Sequence, residues 1–172
     1  KISTDSPEFD AAENDVKDSI NRFLNNKGTK SVDFFHKRLG LIMWNKVGMA
    51  RNEQGLKEAI EEIAALREEF YKDVFVPGDA DELNPELEKA LRVADFIELG
   101  QLMAIDALQR NESCGGHFRE DYQDAEGETL RDDENFKYAA AWEYAGGDAT
   151  KATLHKEELK YEFIKIAARN YK

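Results

Sequence analysis

The sequence has one cysteine, three prolines, three histidines and no long apolar run, and each scarcity excludes something. Cys114 alone cannot build an internal disulfide framework, so the chain reads as intracellular, and cysteine-type zinc sites are excluded by number. His36, His117 and His155 are scattered, with no His-x-x-x-His or Glu-x-x-His pair on a helix, so no metal ligand set is expected. No stretch approaches the roughly 18 apolar residues that read as a membrane span. No signal-peptide pattern opens the chain, and direct membrane insertion is not expected. Positive charge is scarce as well: 24 Lys and Arg stand against 36 Asp and Glu, for a net charge of −12. Nucleic acid and anionic membrane surfaces call for a clustered basic face, so neither is an expected partner. Neither Gly115-Gly116 nor Gly146-Gly147 lies in a strand, Gly-x-Gly-x-x-Gly turn and helix, and no Walker phosphate loop occurs, so no dinucleotide site is expected in this chain.

What is present is helix. A chain of 172 residues suits one domain, or one domain with an appendage, and can bury a core. It starts at Lys1 without a methionine and enters a helix within a few residues, as a processed or excised fragment would. Ser6-Pro7-Glu8 is a helix start, and Phe9, Ala12, Val16, Ile20, Phe23 and Leu24 then recur at steps of three and four. Asn25-Asn26-Lys27-Gly28 is the stop signal, with Gly28 suited to a left-handed conformation. Ser31 is the next cap. Val32, Phe35, Leu39, Ile42, Met43 and Val47 form a second stripe, widened by Phe34, Leu41 and Trp44, so this segment is expected to be more buried than the first, with Met43 and Trp44 in the core. Leu56, Ile60, Ile63, Leu66, Phe70 and Val74 resume the stripe after an interruption at Gly48 to Glu53. Residues 31–74 therefore read as one long helix with a break, or as two nearly collinear helices. Asn84-Pro85-Glu86 starts another, lined by Leu87, Leu91, Ala94, Ile97, Leu102, Ile105 and Leu108 and ending near Arg110.

Three amphipathic rods with short connections predict a mainly α fold, an antiparallel three-helix bundle over residues 1–111. Residues 112–172 have another texture. Gln123 to Asn135 has no period and reads as loop. Phe136, Tyr138, Ala140, Trp142 and Tyr144 alternate with smaller or polar residues, as do Leu159, Tyr161 and Phe163, which predicts a small antiparallel strand pair turning at Gly146-Gly147-Asp148. Glu157 to Arg169 also reads as a fourth helix. An isolated strand pair is marginal, so this extension is expected to pack on the bundle or on a partner.

Asn111 to Tyr122 separates the two textures. Gly115-Gly116 frees the backbone, and in an extended segment His117, Arg119 and Asp121 would share one face. With Arg131-Asp132-Asp133 this set suits a general acid/base role or a charge-paired docking strip. No cofactor cradle or pocket accompanies it, which favours docking. Elsewhere the plain readings prevail. Glu61-Glu62 and Glu68-Glu69 are a solvated helix face, His36 is a core or boundary histidine, and Cys114 lacks the demonstrable basic setting of a reactive thiol.

Glu112-Ser113-Cys114-Gly115-Gly116-His117-Phe118-Arg119-Glu120-Asp121-Tyr122, followed by Arg131-Asp132-Asp133 and Phe136, resembles the Glu-Ser-Arg-Gly-(Ala/Gly)-His-x-Arg-x-Asp segment of the flavoprotein subunit of succinate dehydrogenase and fumarate reductase. Leu41 to Arg51, with Met43-Trp44 and Val47-Gly48 inside it, resembles the Met-Trp…Val-Gly…Arg stretch of the same family. Cys114 departs from that pattern, standing where the family has arginine. The resemblance implies a three-helix bundle of spectrin-repeat-like shape followed by a small strand-bearing extension, the C-terminal structural and docking domain of an FAD-dependent oxidoreductase that interconverts succinate and fumarate and passes electrons on. By that likeness FAD, the dicarboxylate site and the catalytic residues lie on flavin and capping domains outside this chain, so no catalytic, cofactor or metal residue is carried over. Ser113, His117, Arg119, Asp121, Arg131 and Asp132 would be interdomain or inter-subunit residues, facing the flavin domain or an iron–sulfur subunit. The implied location is cytoplasmic, peripheral to the inner membrane through the complex. Alternatives are the helical domain of L-aspartate oxidase, which has a similar segment, and a free-standing acidic three-helix adaptor. If Arg119 and Asp121 serve docking alone, Arg119→Ala leaves the melting temperature of this chain nearly unchanged and weakens assembly of the full enzyme.

Overall fold

Proline needs no amide partner at the first helical position, and an acid just after it faces the positive dipole end, so Ser6-Pro7-Glu8 opens a helix. The computed structural model describes residues 3–146 and 148–167, and here it has α1, Pro7–Leu24. The Ser6 hydroxyl turns to the Glu8 carboxylate, and the first turn closes through Phe9 N–H donating to Ser6 O at 3.0 Å. The remaining elements are β1 (Lys30–Ser31), α2 (Val32–Ile42) running into a π-turn at Met43–Val47, β2 (Ala50–Arg51), α3 (Glu53–Asp73), β3 (Val74–Phe75), α4 (Pro85–Gln109), β4 (Phe118–Arg119), the single turn α5 (Asp133–Phe136), β5 (Tyr138–Glu143) and β6 (Thr153–Glu158). The fold is mainly α. Its residues gather into two compact units, Lys1–Leu41 with Ile63–Ile97, and Ile42–Glu62 with Glu98–Lys172, so α3 and α4 each contribute to both.

In the first unit the core centres on Phe70, fully buried, with the rings of Phe35 and Phe23 at 5.2 and 5.6 Å. Val32, Leu66 and Val93 are buried in the same unit. Of the α1 stripe only Phe23 is buried; Phe9 and Val16 are 52% and 59% exposed. The end of α3 would leave carbonyls unpaired, and residues 25–31 supply the donors. Asn26 Nδ2 donates to Val74 O (2.8 Å) and Tyr71 O (3.3 Å), and Thr29 N–H donates to Asp73 O (3.0 Å). β1 then pairs in parallel with β3, Lys30 opposite Val74 and Ser31 opposite Phe75. Gly28 does not take the expected left-handed conformation. It is required for a different reason: a Cβ there would overlap the backbone carbonyls of Asp73 and Val74.

In the second unit Val47, Leu56, Ala59, Ala104 and Ala107 form the buried cluster, with Ile42, Met43, Ile60 and Leu108 packed against it. Lys46 Nζ lies 2.7 Å from Glu58 and 2.6 Å from Glu62. As α2 and its π-turn advance through Phe35, Arg38 and Lys46, their α3 partners recede through Phe70, Glu69 and Glu62 to Glu58. The two helices are therefore antiparallel, which corrects the expectation of a single or collinear rod over 31–74. The chain reverses across Gly48 to Asn52, where Asn52 Oδ1 caps α3 by accepting from Gly55 N–H at 2.9 Å. The widened face of this segment is not core either. Phe34, Leu41 and Trp44 are 38%, 61% and 82% exposed, so of Met43 and Trp44, both expected in the core, Met43 alone packs against it.

α4 begins at its expected cap, Asn84 Oδ1 accepting from Leu87 N–H at 3.0 Å. Its most buried line is Leu87, Ala90, Val93, Ile97, Gln101, Ala104 and Ala107, while Leu91, Ala94, Leu102, Ile105 and Leu108 sit half-buried beside it. Small residues admit a neighbouring backbone more closely than leucine does, so the contact line follows alanine rather than the bulkiest side chains. The strand pair is antiparallel, Tyr138 opposite Glu158 through Glu143 opposite Thr153. The second strand thus precedes the expected Leu159–Phe163. Residues 159–167 are neither strand nor the alternative fourth helix, and Arg169 lies outside the described residues. Trp142 Nε1 donates to Asp106 Oδ1 (2.8 Å) and Tyr138 Oη meets the Gln109 amide (3.1 Å), which ties the ribbon to α4.

Two glycines give opposite outcomes. Gly28→Ala is expected to destabilise by about 1–3 kcal/mol, the cost of overpacking against backbone. Gly40 lies in exposed helix with nothing within 4 Å of a Cβ, so Gly40→Ala is expected to stabilise by about 0.5–1 kcal/mol. Urea midpoints for both variants check the contrast.

Candidate functional site

A helix ends with carbonyls that lack intrahelical donors and carry the negative end of its dipole. At the end of α4 a cation covers them. Arg119, fully buried on β4, donates through Nη1 to Ala107 O at 2.9 Å and Leu108 O at 3.2 Å. The other side of the same guanidinium, Nε and Nη2, donates to Asp121 Oδ2 at 3.1 and 3.0 Å. Asp121 Oδ2 in turn accepts the Glu53 N–H, at 2.7 Å, at the start of α3. One ion pair, buried on its Arg119 side and open to solvent at Asp121, therefore places a cation on a helix C-terminus and an anion on a helix N-terminus, each at the favourable dipole end.

The Ser113 hydroxyl holds the strand that carries Arg119, donating to Arg119 O (3.0 Å) and accepting Arg119 N–H (2.9 Å). β4 pairs in parallel with β2, Ala50 opposite Phe118 and Arg51 opposite Arg119. Cys114 and His117 exchange both backbone hydrogen bonds, 2.9 and 3.0 Å, across a two-residue turn at Gly115-Gly116. Gly115 has φ +59°, as the first central residue of such a tight turn requires. His117 Nε2 reaches Arg110 O at 2.8 Å, and its Nδ1 lies 3.4 Å from Arg51 Nη1. His117, Arg119 and Asp121 gather at the ends of α3 and α4, with Arg119 buried, His117 half-buried and Asp121 exposed, the last brought there by a turn after β4.

Arg131 and Asp132 stand apart from this knot. Arg131 pairs with Asp133 at 2.5 Å and donates to Ala167 O at 3.1 Å. Asp132 caps α5 through Asn135 N–H at 3.1 Å. A centre absent from the sequence-predicted set is Glu112, 2% exposed, which accepts from Arg110 Nε (2.8 Å) and from Asp132 N–H (2.8 Å). Arg51 and Arg110 were missed with it. The one available signal was an acid at Glu112 beside a basic residue two positions earlier, because its other partner lies 20 positions on.

The Nε2–H of His117 is donated to a carbonyl, and its Nδ1 faces a guanidinium at 3.4 Å. Four of the five N–H groups of the Arg119 guanidinium are taken by α4 carbonyls and Asp121. Burial first, then the charges of Arg51, Arg119 and Arg110, hold the His117 imidazole below its ordinary range, against an opposing effect of the bond to Arg110 O. Gly115-Gly116 closes a hairpin turn and does not fit a flavin cradle. No group of three His, Cys, Asp or Glu able to hold a metal ion occurs among the described residues. Cys114 is a free, half-buried thiol at the first position of the turn. Elsewhere, Glu61, Glu62 and Glu68 are exposed as expected, Glu69 is half-buried between Lys30 and Arg38, and His36 is exposed beside the Phe96 ring at 5.9 Å.

Fold and site together define a helical module whose polar knot joins helix ends. The chain belongs to the family described as "Fumarate reductase flavoprotein C-term", whose model matches residues 36–171. It is 31% identical over 169 residues to the fumarate reductase flavoprotein subunit of Helicobacter pylori, covering 97% of this chain and 22% of that protein. A less extensive likeness is to L-aspartate oxidase 2 of Ralstonia nicotianae, 33% over 94 residues, or 54% of this chain and 16% of that one. The fold is that of a chain of Escherichia coli quinol fumarate reductase, with a TM-score of 0.81 at 22% identity, over 97% of this chain and 27% of the other. The chain thus spans less than a third of the length of these proteins.

Removing the Arg119 head group strands the carbonyls of α4 and the Asp121 carboxylate. Arg119→Ala is therefore expected to cost about 3–5 kcal/mol, in place of the negligible effect that a docking role alone implies. Arg131→Ala, which breaks a partly exposed pair, is expected to cost no more than about 1 kcal/mol. Thermal melts of the two variants, followed by circular dichroism, separate these outcomes.

Proposed function

We propose that this chain is the structural and docking domain at the C-terminal side of a flavoprotein subunit that interconverts succinate and fumarate within an electron-transfer complex. One observation carries the reading: the chain aligns over nearly its whole length with only 22% of a fumarate reductase flavoprotein subunit. In this reading FAD and the dicarboxylate are held by flavin and capping domains of the parent protein, and an iron–sulfur subunit is a neighbour. The parent enzyme is peripheral to the inner membrane on the cytoplasmic side, and no helix among the described residues is long and apolar enough to cross a membrane. Of the four helices up to residue 111, α2, α3 and α4 act as an antiparallel three-helix bundle, and residues 112–172 act as the extension that docks.

Large apolar side chains left in solvent support a buried setting in a larger body. Trp44 is 82% exposed and Met49 86%, beside the π-turn, and Phe163 is 90% exposed in the tail. Within the docking segment, Ser113, His117, Arg119 and Asp121 shape the surface from beneath, while Arg131 and Asp132 are the members that reach its outer side. The longer match favours the fumarate reductase type over L-aspartate oxidase.

The coding sequence upstream of Lys1 is expected to encode a flavin-binding glycine motif. In the assembled enzyme, Arg131→Ala is expected to reduce co-purification of the iron–sulfur subunit while leaving flavin content unchanged. Unaltered co-purification removes Arg131 from the interface. A flavin absorption band in this chain purified by itself overturns the docking-domain reading.

A further inference from the structure

His117 differs from its neighbours in the knot because both of its ring nitrogens have partners, and the one at Nδ1 requires an uncharged ring, whereas the Nε2–H bond to a carbonyl suits either state. A carbonyl, Arg110 O, can only accept, so Nε2 carries the hydrogen. A guanidinium nitrogen, Arg51 Nη1, can only donate, so Nδ1 must be the acceptor. The charged groups that act on the ring come from three elements and have one sign: Arg51 from β2, Arg110 just past α4, and Arg119 from β4. The carboxylates of the cluster are directed elsewhere, Asp121 to Arg119 and Glu112 to Arg110, while Asp106 acts on Arg51.

We propose that His117 is a protonation-sensitive latch: the neutral imidazole pins the Gly115-Gly116 turn to the end of α4, and a proton taken up at Nδ1 releases it. Protonation would set an N–H donor against the Arg51 N–H groups and add a fourth cation to three guanidiniums in a half-desolvated site. The turn is the part free to respond. Its own bonds are the two exchanged between Cys114 and His117, and both of its glycines have open space around them. Arg119 has no proton to gain and stays on the α4 carbonyls, so the opening is local. The latched ring binds its proton more weakly than a released one, whose ordinary value is 6.5. The latch is therefore fully closed above that value, loosens as pH falls below it, and levels off beneath the lowered value of the closed form.

Nuclear magnetic resonance of this chain labelled with nitrogen-15 tests the latch. At about pH 7.5 the ring nitrogen shifts are expected to show a hydrogen on Nε2 and none on Nδ1. The protection of the Cys114 and His117 amides, corrected for intrinsic exchange, is expected to fall by up to about tenfold per pH unit between pH ~6.5 and ~5.5. His117→Gln keeps a donor for Arg110 O but does not titrate, and its protection is expected to stay level over the same range. A hydrogen on Nδ1 at neutral pH, protection that does not change with pH in the native chain, or an equal loss in His117→Gln would each overturn the proposal.

Discussion

The guanidinium of Arg119 is the constraint on which the second unit depends. A fully buried cation is tolerated only where nearly every N–H has an acceptor. Here the acceptors are the last carbonyls of α4 on one side and Asp121 on the other. Asp121 also holds the first amide of α3. The end of one helix and the start of another are thereby fixed by a single ion pair, and β4, Ser113 and the glycine turn are arranged to deliver it. Around it, Glu112 repeats the principle, anchoring Arg110 and the backbone of Asp132.

The first unit solves the same problem without a buried charge. The end of α3 receives donors from Asn26 and the backbone of Thr29, and Gly28 is the residue that lets the two backbones come close enough. The buried charges among the described residues, Glu112 and Arg119, thus sit by a helix end, while the ion pairs on the helix faces are exposed or half-buried. Interiors of the helices hold one another through alanine, valine and phenylalanine, which need no partners of that kind. In the cluster of His117, Arg119 and Asp121, most of the hydrogen-bonding capacity is taken up by backbone groups and by one ion pair.

Residue types and their spacing were sufficient for what depends on local backbone preference. Pro7, Ser31, Asn84 and Pro85 mark true helix boundaries, because caps and proline act within one turn of themselves. The alternation of His117, Arg119 and Asp121 assumed an extended backbone throughout, whereas the chain turns after Arg119, with Tyr122 N–H donating to Arg119 O, and brings Asp121 back to the guanidinium. The two motifs placed the chain in its family. Only the tertiary structure decided that α2 and α3 fold back on each other, that Trp44 faces outward, that the second strand is Thr153–Glu158, and that Glu112 is buried. Each of these rests on contacts between residues distant in the chain: Arg51 meets His117 across 66 positions, and Asn52 meets Glu120 across 68. Hydrophobic periodicity reports that a residue has an inner face but not what lies opposite it. That partner is set by which backbones can approach and which buried charges can be satisfied, and both are properties of the folded chain alone.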